Sequence, residues 1–412
     1  MHEHFFDSLE HRSPKERELE QLHALAAQIE HARKTAPAYA ELLAGFSEPV
    51  NSRERLAKLP LTRKSELAAR QRQQLPFGGL TGIGSPELTH IFVSPGPIYE
   101  PGSARRDFWS FGRTLFAAGF RRGELLLNCF SYHFTPAGAM VESGAHALGC
   151  TVIPAGTGNT EQQVAAIADL KPSGYVGTPS FLKIILDKGD ELGADLSSLK
   201  KALVSGEYFP PTLRASLQQR GIEALQCYAT ADLGLIAYES SAREGMIVDE
   251  RIILEIVRPG TGDPVPAGEV GELVITSLNP DYPLIRFATG DLSAILPGES
   301  PCGRSNMRIK GWLGRADQTT KVRGMFVHPE QVAAILKRHP AVGKARLLVK
   351  RENELDQMLL QCEATAADAD LREKLQETIR EICKLRGEVE FVAPGSLAND
   401  GKVIDDQRPI DQ

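Results

Sequence analysis

The feature that most constrains the fold is a regular alternation of short apolar segments and helical segments between residues 88 and 235. The apolar segments have the length and composition of buried strands: LTHIFVS, ELLLNCF, CTVIPA, SGYVGT, KALVSG and ALQCYA. The segments between them have the spacing of helices: DFWSFGRTLFAAG, AGAMVESGAHALG, TEQQVAAIADL, SFLKIILDKG and PTLRASLQQRG. Strand and helix repeated in this order predict a parallel sheet covered by helices. We therefore predict an α/β fold.

The sequence changes character after residue 247. Three segments there have strand composition with glycine and proline turns between them: MIVDERIILEIVRPG, EVGELVITSL and LIRFATGDLSAIL. The last region predicts helix, strand, strand, helix and strand: HPEQVAAILKRH, KARLLVKR, QMLLQCEAT, LREKLQETIREICKL and EVEFVAPG. At 412 residues the chain is too long for one ordinary core. We predict a large N-terminal domain over residues 1–315, with a β-rich subdomain from about 245, and a small α+β domain over 316–412.

The first helix is predicted from its capping residues. Ser13 can cap it, Pro14 suits its first turn, and Glu16 completes a capping box. Apolar residues then recur at helical spacing at Leu19, Leu22, Leu25 and Ile29. This pattern predicts a helix that packs one apolar face against the rest of the protein.

Charge and composition exclude several classes of partner. A net charge of −6 and a pI near 6.0 give no electrostatic reason to expect nucleic acid or an anionic membrane. No apolar run approaches the ~20 residues that span a bilayer. The charged N-terminus lacks the apolar core of a signal peptide. We therefore expect a soluble, cytoplasmic protein.

Cysteine and histidine usage gives no sign of a disulfide framework or a metal tail. The cysteines are Cys129, Cys150, Cys227, Cys302, Cys362 and Cys383. They contain no CxxC pair and most lie in apolar segments, so we expect reduced core residues. His2, His4 and His11 have no matching ligand cluster, and we interpret them as part of a polar, mobile end.

Polar clusters follow several of the predicted strands. Ligands of open α/β sheets bind at the carboxyl ends of strands, where this chain carries SGE, CYATAD and TGD. Each cluster alone has an ordinary explanation, since Thr-Gly-Asp is usually a turn and Tyr228 equally fits a core or surface aromatic. Their order along the chain carries more information than any one of them.

Three longer segments resemble the phenylacetate–CoA ligase branch of the adenylate-forming enzymes: VIPAGTGNTEQQVAAIADLKPSGYVGTPSFLKIIL, PLIRFATGDL and GRADQTTKVRGMFVHPEQV. The resemblance covers nearly the whole chain and includes the first helix and LPLTRKSEL. Enzymes of this type activate a carboxylic acid with ATP to an acyl adenylate and pyrophosphate. A rotation of the small domain then brings in coenzyme A, which forms the thioester. The resemblance therefore implies a mobile C-terminal lid.

The resemblance assigns nucleotide-binding roles to individual positions. It implies that an adenine pocket is lined by Ser205, Gly206 and Glu207, followed by Tyr228 and Ala229. Tyr228 would lie against the adenine ring, where an aromatic side chain adds contact area without charge.

Phosphate and ribose roles follow in the same way. Thr230 matches the hydroxyl that bonds the α-phosphate, and Asp232 stands where the family usually has a glutamate that holds Mg²⁺. Aspartate is also a hard oxygen ligand, but its shorter side chain requires a small shift or a bridging water. Asp291 would accept both ribose hydroxyls, and Arg315 would assist at the ribose or phosphate.

The last roles concern the small domain. The resemblance implies a hinge at Asp317 and an approach of Arg323 and Gly324 to pantetheine during thioester formation. NDGKVIDDQR resembles the segment that carries the catalytic lysine, which makes Lys402 the candidate. Its ammonium would offset the negative charge that develops as the acid attacks the α-phosphate. A solvated tail lysine is the alternative, and both remain open.

The acid pocket is assigned to residues 130–140, FSYHFTPAGAM. This segment aligns with one that lines the acid site in relatives, so the resemblance implies substrate contacts from Tyr132, His133, Phe134 and Gly138. Aromatic rings and small residues there would fit an aryl or arylacetic acid. Core packing would explain the same residues, and that alternative also stays open.

The sequence departs from the family pattern at a metal cluster. Relatives often carry a Cys/His cluster at positions that here read Ser240, Met246 and Ser300, which leaves Cys302 alone. One thiol cannot form a four-ligand zinc site. We therefore predict no structural zinc.

The second departure is the phosphate loop. The family's loop resembles SSGTTGxPT, whereas VSPGPIYEPGS keeps Ser94, Gly96 and Ser103. Its three prolines, at 95, 97 and 101, have no N–H group to offer a phosphate. The loss costs about 0.5–1.5 kcal/mol for each donor that nothing replaces. Glu100 also adds negative charge near the expected triphosphate, unless it turns away or helps bind the metal.

Three outcomes are compatible with this loop. The chain is a ligase that binds ATP weakly, an enzyme of the second half-reaction only, or a non-catalytic relative that binds a ligand and regulates a partner. The retained residues favour catalysis: Tyr228, Thr230, Asp291, Arg315 and Lys402. We predict an acid–CoA ligase that uses ATP, Mg²⁺ and coenzyme A on an aromatic acid; the resemblance is also compatible with a homodimer.

Overall fold

The computed structural model describes residues 4–259, 261–316, 318, 320–323, 325–352, 355–365, 368–398 and 402–408. These residues form two compact units. The large unit contains residues 1–255, 274–289 and 295–311, and the small unit contains 256–273, 290–294 and 312–412. No helix in the described part of the chain is both long enough and apolar enough to cross a membrane.

The described residues contain eleven α-helices and twenty-two strands. The helices are α1 Pro14–Thr35, α2 Pro37–Leu42, α3 Arg53–Ala57, α4 Leu67–Gln73, α5 Phe111–Ala117, α6 Ala137–Leu148, α7 Thr160–Leu170, α8 Pro179–Leu192, α9 Pro211–Gln219, α10 Pro329–Arg338 and α11 Ala369–Cys383. The strands are β1 Thr62–Arg63, β2 Leu88–Ser94, β3 Ile98–Ser103, β4 Leu125–Asn128, β5 Thr151–Pro154, β6 Gly174–Gly177, β7 Lys201–Val204, β8 Glu223–Thr230, β9 Gly234–Tyr238, β10 Met246–Val248, β11 Ile252–Val257, β12 Gly271–Ser277, β13 Phe287–Ser293, β14 Ile295–Leu296, β15 Arg308–Ile309, β16 Gly314–Arg315, β17 Thr320–Val322, β18 Met325–Val327, β19 Val342–Glu352, β20 Leu355–Ala364, β21 Glu388–Val392 and β22 Ile404–Asp406.

The large unit is built on a nine-stranded sheet in the order β14-β15-β10-β9-β8-β7-β6-β4-β5. The run from β5 to β8 is parallel, and the pairs from β8 to β14 are antiparallel. Every position of β6 is buried, as expected when both faces of a parallel sheet are covered. The predicted α/β fold is confirmed. The carboxyl ends of β6, β7 and β8 meet at one edge of this sheet.

The first predicted strand, LTHIFVS, is not part of that sheet. It forms β2, which pairs antiparallel with β3 in a two-stranded hairpin, with Ser94 opposite Ile98. Positions 89–91 are exposed. The prediction of a buried strand was wrong because its partner is the neighbouring proline-rich segment, which alternation with helices gives no reason to pair with it.

Helix α1 begins as predicted, with the Ser13 capping box in place. The prediction of its apolar face was only partly right, since Leu25 and Ile29 are buried but Leu19 is 61% exposed. Polar residues occupy three further buried positions of the helix: Arg17, Gln21 and Gln28. Gln28 donates to the carbonyls of Ser277 and Asn279, so a polar side chain satisfies backbone carbonyls at the helix surface.

The strands predicted after residue 247 are confirmed as β10, β11, β12 and β13. A second sheet has the order β1-β13-β12-β11, and β16 pairs antiparallel with β13. This pairing sets Asp291 directly opposite Arg315.

The C-terminal part of the small unit has the predicted order of helix, strand, strand, helix and strand, in α10, β19, β20, α11 and β21. These elements form a four-stranded sheet, β21-β20-β19-β22, around an apolar core that includes Leu347, Leu360 and Leu375. No strand was predicted in the segment after Lys402, but Ile404–Asp406 forms β22, parallel to β19. Five of the six cysteines are buried and all are free thiols.

Candidate active site

The loops after β6, β7 and β8 bring the predicted adenine-binding residues to one edge of the large sheet. Ser205 donates its hydroxyl proton to the Cys227 carbonyl at 2.7 Å. The Glu207 carboxylate accepts the Ser180 amide of α8 at 2.6 Å. Gly206 lies between them with φ 87°. Ser205 and Glu207 therefore tie three neighbouring strand ends together, which fixes the shape of this edge.

Tyr228, Ala229 and Thr230 end β8 and are each half-buried. The pairing with β9 shifts register between Tyr228 and Ala229, which turns the end of the strand. The Thr230 hydroxyl oxygen accepts the Leu233 amide at 3.2 Å. A hydroxyl that accepts in this way still carries a proton that it can donate to an anionic oxygen.

Asp232 follows in the same loop and its side chain is fully buried. One carboxylate oxygen, Oδ2, accepts from the Lys64 ammonium at 2.6 Å. The other, Oδ1, has no hydrogen-bond partner among the residues that the structure describes. Sequence reasoning missed Lys64, although LPLTRKSEL contains it, because nothing in that segment indicates a partner 168 residues away.

Glu100 of the proline hairpin is 1% exposed. Burial raises the pKa of this carboxyl to about 8, and the Asp232 carboxylate contributes in the same direction. At neutral pH the group is therefore mainly protonated. The sequence predicted an added negative charge at this point of the loop, and the buried environment largely removes it.

The proline loop is a well-anchored hairpin rather than an open phosphate loop. Gln71 of α4 accepts the Tyr99 amide at 2.9 Å and donates to the Tyr99 carbonyl at 2.8 Å. Gly96 at the turn has φ 156°, and a Cβ there would lie 2.8 Å from the Ile98 side chain. Ser94 donates to Glu100 and Ser103 donates to Asp281, so both retained hydroxyls form internal bonds.

The predicted acid-pocket residues lie together beside this hairpin. The Tyr132 hydroxyl accepts from Asn128 at 2.8 Å, and its ring lies against Gly138, where a Cβ would be 2.8 Å from the ring. Burial and the neighbouring Glu142 carboxylate raise the pKa of the Tyr132 phenol. Phe134 is exposed and accepts the Val93 amide of β2 through its carbonyl at 2.9 Å.

His133 completes this cluster. Its ring lies 4.7 Å from that of Phe134 in an edge-on arrangement. The predicted acid-pocket segment thus contains two contacts: the Tyr132 ring packs against Gly138, and the rings of His133 and Phe134 pack against each other.

In the small unit the structure brings Asp291 and Arg315 together. The Arg315 guanidinium donates to Asp291 Oδ1 at 3.0 Å, and the Trp312 indole donates to the same oxygen at 3.1 Å. Sequence reasoning missed Trp312. An ionised carboxylate held in this way is oriented for hydrogen bonds to a diol.

The other predicted site residues of the small unit form contacts of their own, apart from the pair of Asp291 and Arg315. The Lys402 ammonium pairs with Asp405 at 2.8 Å on a partly exposed surface. The Arg323 guanidinium donates to the Asp356 carbonyl at 2.8 Å, with φ 47° at Arg323. The predicted hinge residue Asp317 and the predicted pantetheine contact Gly324 lie outside the described residues.

The positions compared with the family's Cys/His cluster contain one thiol. Cys302 Sγ lies 3.1 Å from the Ser300 hydroxyl and 3.7 Å from the Arg304 guanidinium. Within the described ranges no group of three or more His, Cys, Asp or Glu residues has the arrangement of a metal site.

Two family models match this chain. The model described as AMP-binding enzyme matches residues 106–279, which contain the strand ends and the predicted acid-pocket segment. The model described as AMP-binding enzyme C-terminal domain matches residues 324–411.

Curated relatives match over most of the chain. A phenylacetate-coenzyme A ligase of Thermus thermophilus is 32% identical over 76% of this chain and 73% of its own length. Phenylacetate-coenzyme A ligases of Aromatoleum evansii and Escherichia coli are 30% and 29% identical over 87% and 95% of this chain, and 84% and 94% of their own lengths.

Solved structures agree with this assignment. A 2-hydroxyisobutyryl-CoA ligase in complex with 2-HIB-AMP and CoA matches with a TM-score of 0.71 at 25% identity, over 97% of this chain and 92% of that protein. An open conformation of the same ligase matches with a TM-score of 0.72. The predicted resemblance is confirmed: the chain is an adenylate-forming acid–CoA ligase and belongs to the phenylacetate–CoA ligase branch of that family.

Proposed function

We propose that this ligase activates an aromatic carboxylic acid, of the arylacetic type, with ATP and transfers the acyl group to coenzyme A. The observation that carries the aromatic assignment is the surface of Tyr132, His133 and Phe134, with the Tyr132 ring seated on Gly138. A flat ring packs well against such a surface. The relatives of 30–32% identity, which carry phenylacetate in their names, support the same class of acid.

The nucleotide roles proposed for the large unit follow from its local chemistry. Tyr228 lies against adenine, and Thr230 donates its hydroxyl proton to an α-phosphate oxygen, since its oxygen already accepts the Leu233 amide. Charge on the phosphate develops at the step in which the acid's carboxylate attacks. A donor placed there before the reaction stabilises the transition state.

The small unit is proposed to supply the ribose contact and the catalytic cation. Asp291 accepts the two ribose hydroxyls, with its carboxylate oriented by Arg315 and Trp312. The Lys402 ammonium offsets the charge on the pentavalent phosphate during adenylate formation. Arg323 and Gly324 are proposed to approach pantetheine in the second half-reaction, with the backbone change at Asp317.

The donor chemistry also fits Mg²⁺. Asp232 presents one buried carboxylate oxygen without a partner among the described residues, and hard oxygen ligands of this kind bind Mg²⁺. Bound there, the ion would neutralise phosphate charge. The residues of this chain would set its position.

The proline hairpin gives the second candidate function its support. Because Ser94 and Ser103 use their hydroxyls internally, the loop offers few donors to a triphosphate. A protein with this loop could accept a preformed acyl adenylate and perform only the transfer to coenzyme A.

Pyrophosphate exchange across a panel of acids tests the proposal. We expect ATP–pyrophosphate exchange with phenylacetate at a kcat/KM at least roughly tenfold above that with 2-hydroxyisobutyrate, since a mismatched pocket typically costs about 1–3 kcal/mol. Faster exchange with 2-hydroxyisobutyrate would overturn the aromatic assignment. No exchange with any acid, together with thioester formation from supplied phenylacetyl adenylate, would establish the second function instead.

A further inference from the structure

The loop that follows β5 lies against the ring of Tyr132 and has no role in the sites described above. It reads AGTGN over residues 155–159, with Gly156 at φ 68° and Gly158 at φ 79°. A Cβ added at Gly156 would lie 3.9 Å from Tyr132 Cδ2, so a single methyl group would fill the space between the loop and the ring. Another edge of the same ring, at Cγ and Cδ1, lies against Gly138. The Tyr132 ring is therefore held between two glycines from different segments.

Gln163, in the first turn of α7, holds this loop from inside the protein. Its side chain is buried, with the residue only 3% exposed. The amide nitrogen donates to the carbonyls of Gly156 at 3.0 Å and Gly158 at 2.7 Å. The amide oxygen accepts the Cys129 thiol at 2.9 Å. Both protons of the Gln163 amide nitrogen are therefore used to fix the two glycine carbonyls of the loop.

A second buried amide, Asn128 at the end of β4, ties the same loop to Tyr132. Asn128 is 0% exposed, and its side-chain nitrogen donates to the Tyr132 hydroxyl at 2.8 Å and to the Gly138 carbonyl at 2.9 Å. Its backbone carbonyl accepts the Gly156 amide at 3.0 Å. Gly156 is thus fixed at its N–H by Asn128 and at its C=O by Gln163.

These bonds form one continuous path from Gln163 through the loop to the Tyr132 ring. Buried hydrogen bonds that are fully satisfied make the groups they join rigid. A binding pocket discriminates between ligands of different size only when the side chains that form its walls are held in place by the residues behind them. A loop with no side chain at Gly156 lets its backbone support the ring directly, so a shift of the loop is a shift of the ring's support.

We propose that Gln163 is a positioning residue of the acid pocket: it holds the 155–159 loop against Tyr132 and so sets the size of the aromatic acid that the ligase accepts. Gln163 acts only through the loop and the ring and does not contact the acid itself. The proposal rests on the proposed function in one respect, which is that the Tyr132 ring forms a wall of the pocket for the acid.

Gln163→Met tests the role, because methionine keeps the volume of the side chain and removes its hydrogen bonds. ATP–pyrophosphate exchange is measured on the full-length chain with phenylacetate and with the bulkier 1-naphthylacetate. The kcat/KM for phenylacetate should fall roughly tenfold through KM, and the ratio of kcat/KM for phenylacetate to that for 1-naphthylacetate should fall roughly threefold or more. The KM for ATP should not change. The matched control is Gln162→Met, the same substitution at the exposed neighbouring position, which should keep the wild-type ratio.

A purely structural role of Gln163 would lower the rates with both acids by the same factor, so an unchanged ratio in a variant that is folded by circular dichroism overturns the proposal. So does a control variant that shifts the ratio equally. If Gln163→Met does not fold, Gln163→Glu replaces it, since it keeps the shape and removes both donors to the loop; the same criterion applies. Exchange by the wild type with neither aromatic acid would instead overturn the proposed function. The ratio is then measured with the acid that does support exchange and its next larger homologue.

Discussion

At the scale of single residues, the ion pair of Lys64 and Asp232 holds a buried carboxylate in place at the predicted phosphate site. Asp232 is buried and its carboxylate meets the ammonium at 2.6 Å, while Lys64 keeps partial contact with solvent. Removing the ammonium leaves a buried carboxylate with no compensating charge. Removing one partner of a buried ion pair lowers the free energy of unfolding much more than removing one partner of an exposed pair does.

Lys64→Met should therefore lower the free energy of unfolding by about 3 kcal/mol, because it leaves a buried charge unpaired. Urea unfolding measures the change. The double variant Lys64→Met/Asp232→Asn should recover part of the loss, because it removes the unpaired charge as well. A single variant as stable as the wild type would show that the pair is not maintained in solution.

Glu100 makes stability depend on pH. Its folded-state pKa is raised from 4.5 to about 8, so the folded protein holds this proton more tightly than the unfolded chain does. The bound proton therefore adds to the free energy of unfolding. This contribution is fully present below about pH 4.5 and is lost as pH rises towards about 8.

Glu100→Gln removes this dependence. Its stability relative to the wild type should be higher at pH 8.5 than at pH 4.5, by a few kcal/mol at roughly 1.4 kcal/mol for each pKa unit. Urea unfolding of both proteins at the two pH values, in buffer with a chelator, measures the difference. An equal difference at both values would contradict the raised pKa.

The proposed acid pocket gives a prediction about Gly138. In Gly138→Ala the new Cβ would lie 2.8 Å from the Tyr132 ring and displace it. The KM for the acid should rise roughly tenfold, as expected when a pocket wall shifts by a methyl group, with little change in the KM for ATP. Gly45→Ala is the control, since nothing lies within 4 Å of the Cβ it adds. An unchanged acid KM would remove Tyr132 from the pocket.

At the scale of elements, the β2–β3 hairpin determines how the chain meets a triphosphate. Prolines at its turn have no N–H groups, and Gln71 holds the returning strand at Tyr99. Pro95→Ser with Pro97→Thr restores two N–H donors. If missing donors limit ATP affinity, the dissociation constant should fall roughly five- to a hundredfold, from about 0.5–1.5 kcal/mol per donor.

Calorimetric titration with ATP measures that change. The control is Pro86→Ser, which also restores an N–H group but lies before the hairpin. No gain in the double variant would show that the missing N–H donors of the prolines do not limit ATP affinity.

Helices and strands were the features that the sequence predicted best. The errors at this level have physical causes. The parallel strands and α1 follow from apolar spacing and a capping box, which are local signals. LTHIFVS was misassigned because a strand's partner is set by the turn that follows it. Leu19 was misassigned because Gln21 and Gln28 occupy part of the buried face, where they donate hydrogen bonds to backbone carbonyls.

At the scale of the whole molecule, the proposed reaction divides between residues of the two units. Lys402→Ala should abolish pyrophosphate exchange, because the ammonium offsets charge only while the adenylate forms. Thioester formation from supplied acyl adenylate should be largely retained. Equal loss in both half-reactions, measured with the same acid, would remove Lys402 from this role.

The family assignment could be made from the sequence because its motifs are continuous segments. Lys64 could not be placed at the predicted phosphate site from the sequence, because only folding brings it to Asp232. It is unremarkable in its own segment. Its charge becomes informative only when the structure shows the buried carboxylate that it pairs with.

The contact between Trp312 and Asp291 gives the protein an optical reporter. The chain has two tryptophans: Trp109 is 5% exposed, and Trp312 is 52% exposed with its indole bonded to the carboxylate proposed to bind ribose. Fluorescence from Trp109 should be blue-shifted and insensitive to soluble quenchers, while emission from Trp312 lies further to the red. A change confined to the red component on addition of nucleotide would report ribose capture in real time, without a dye.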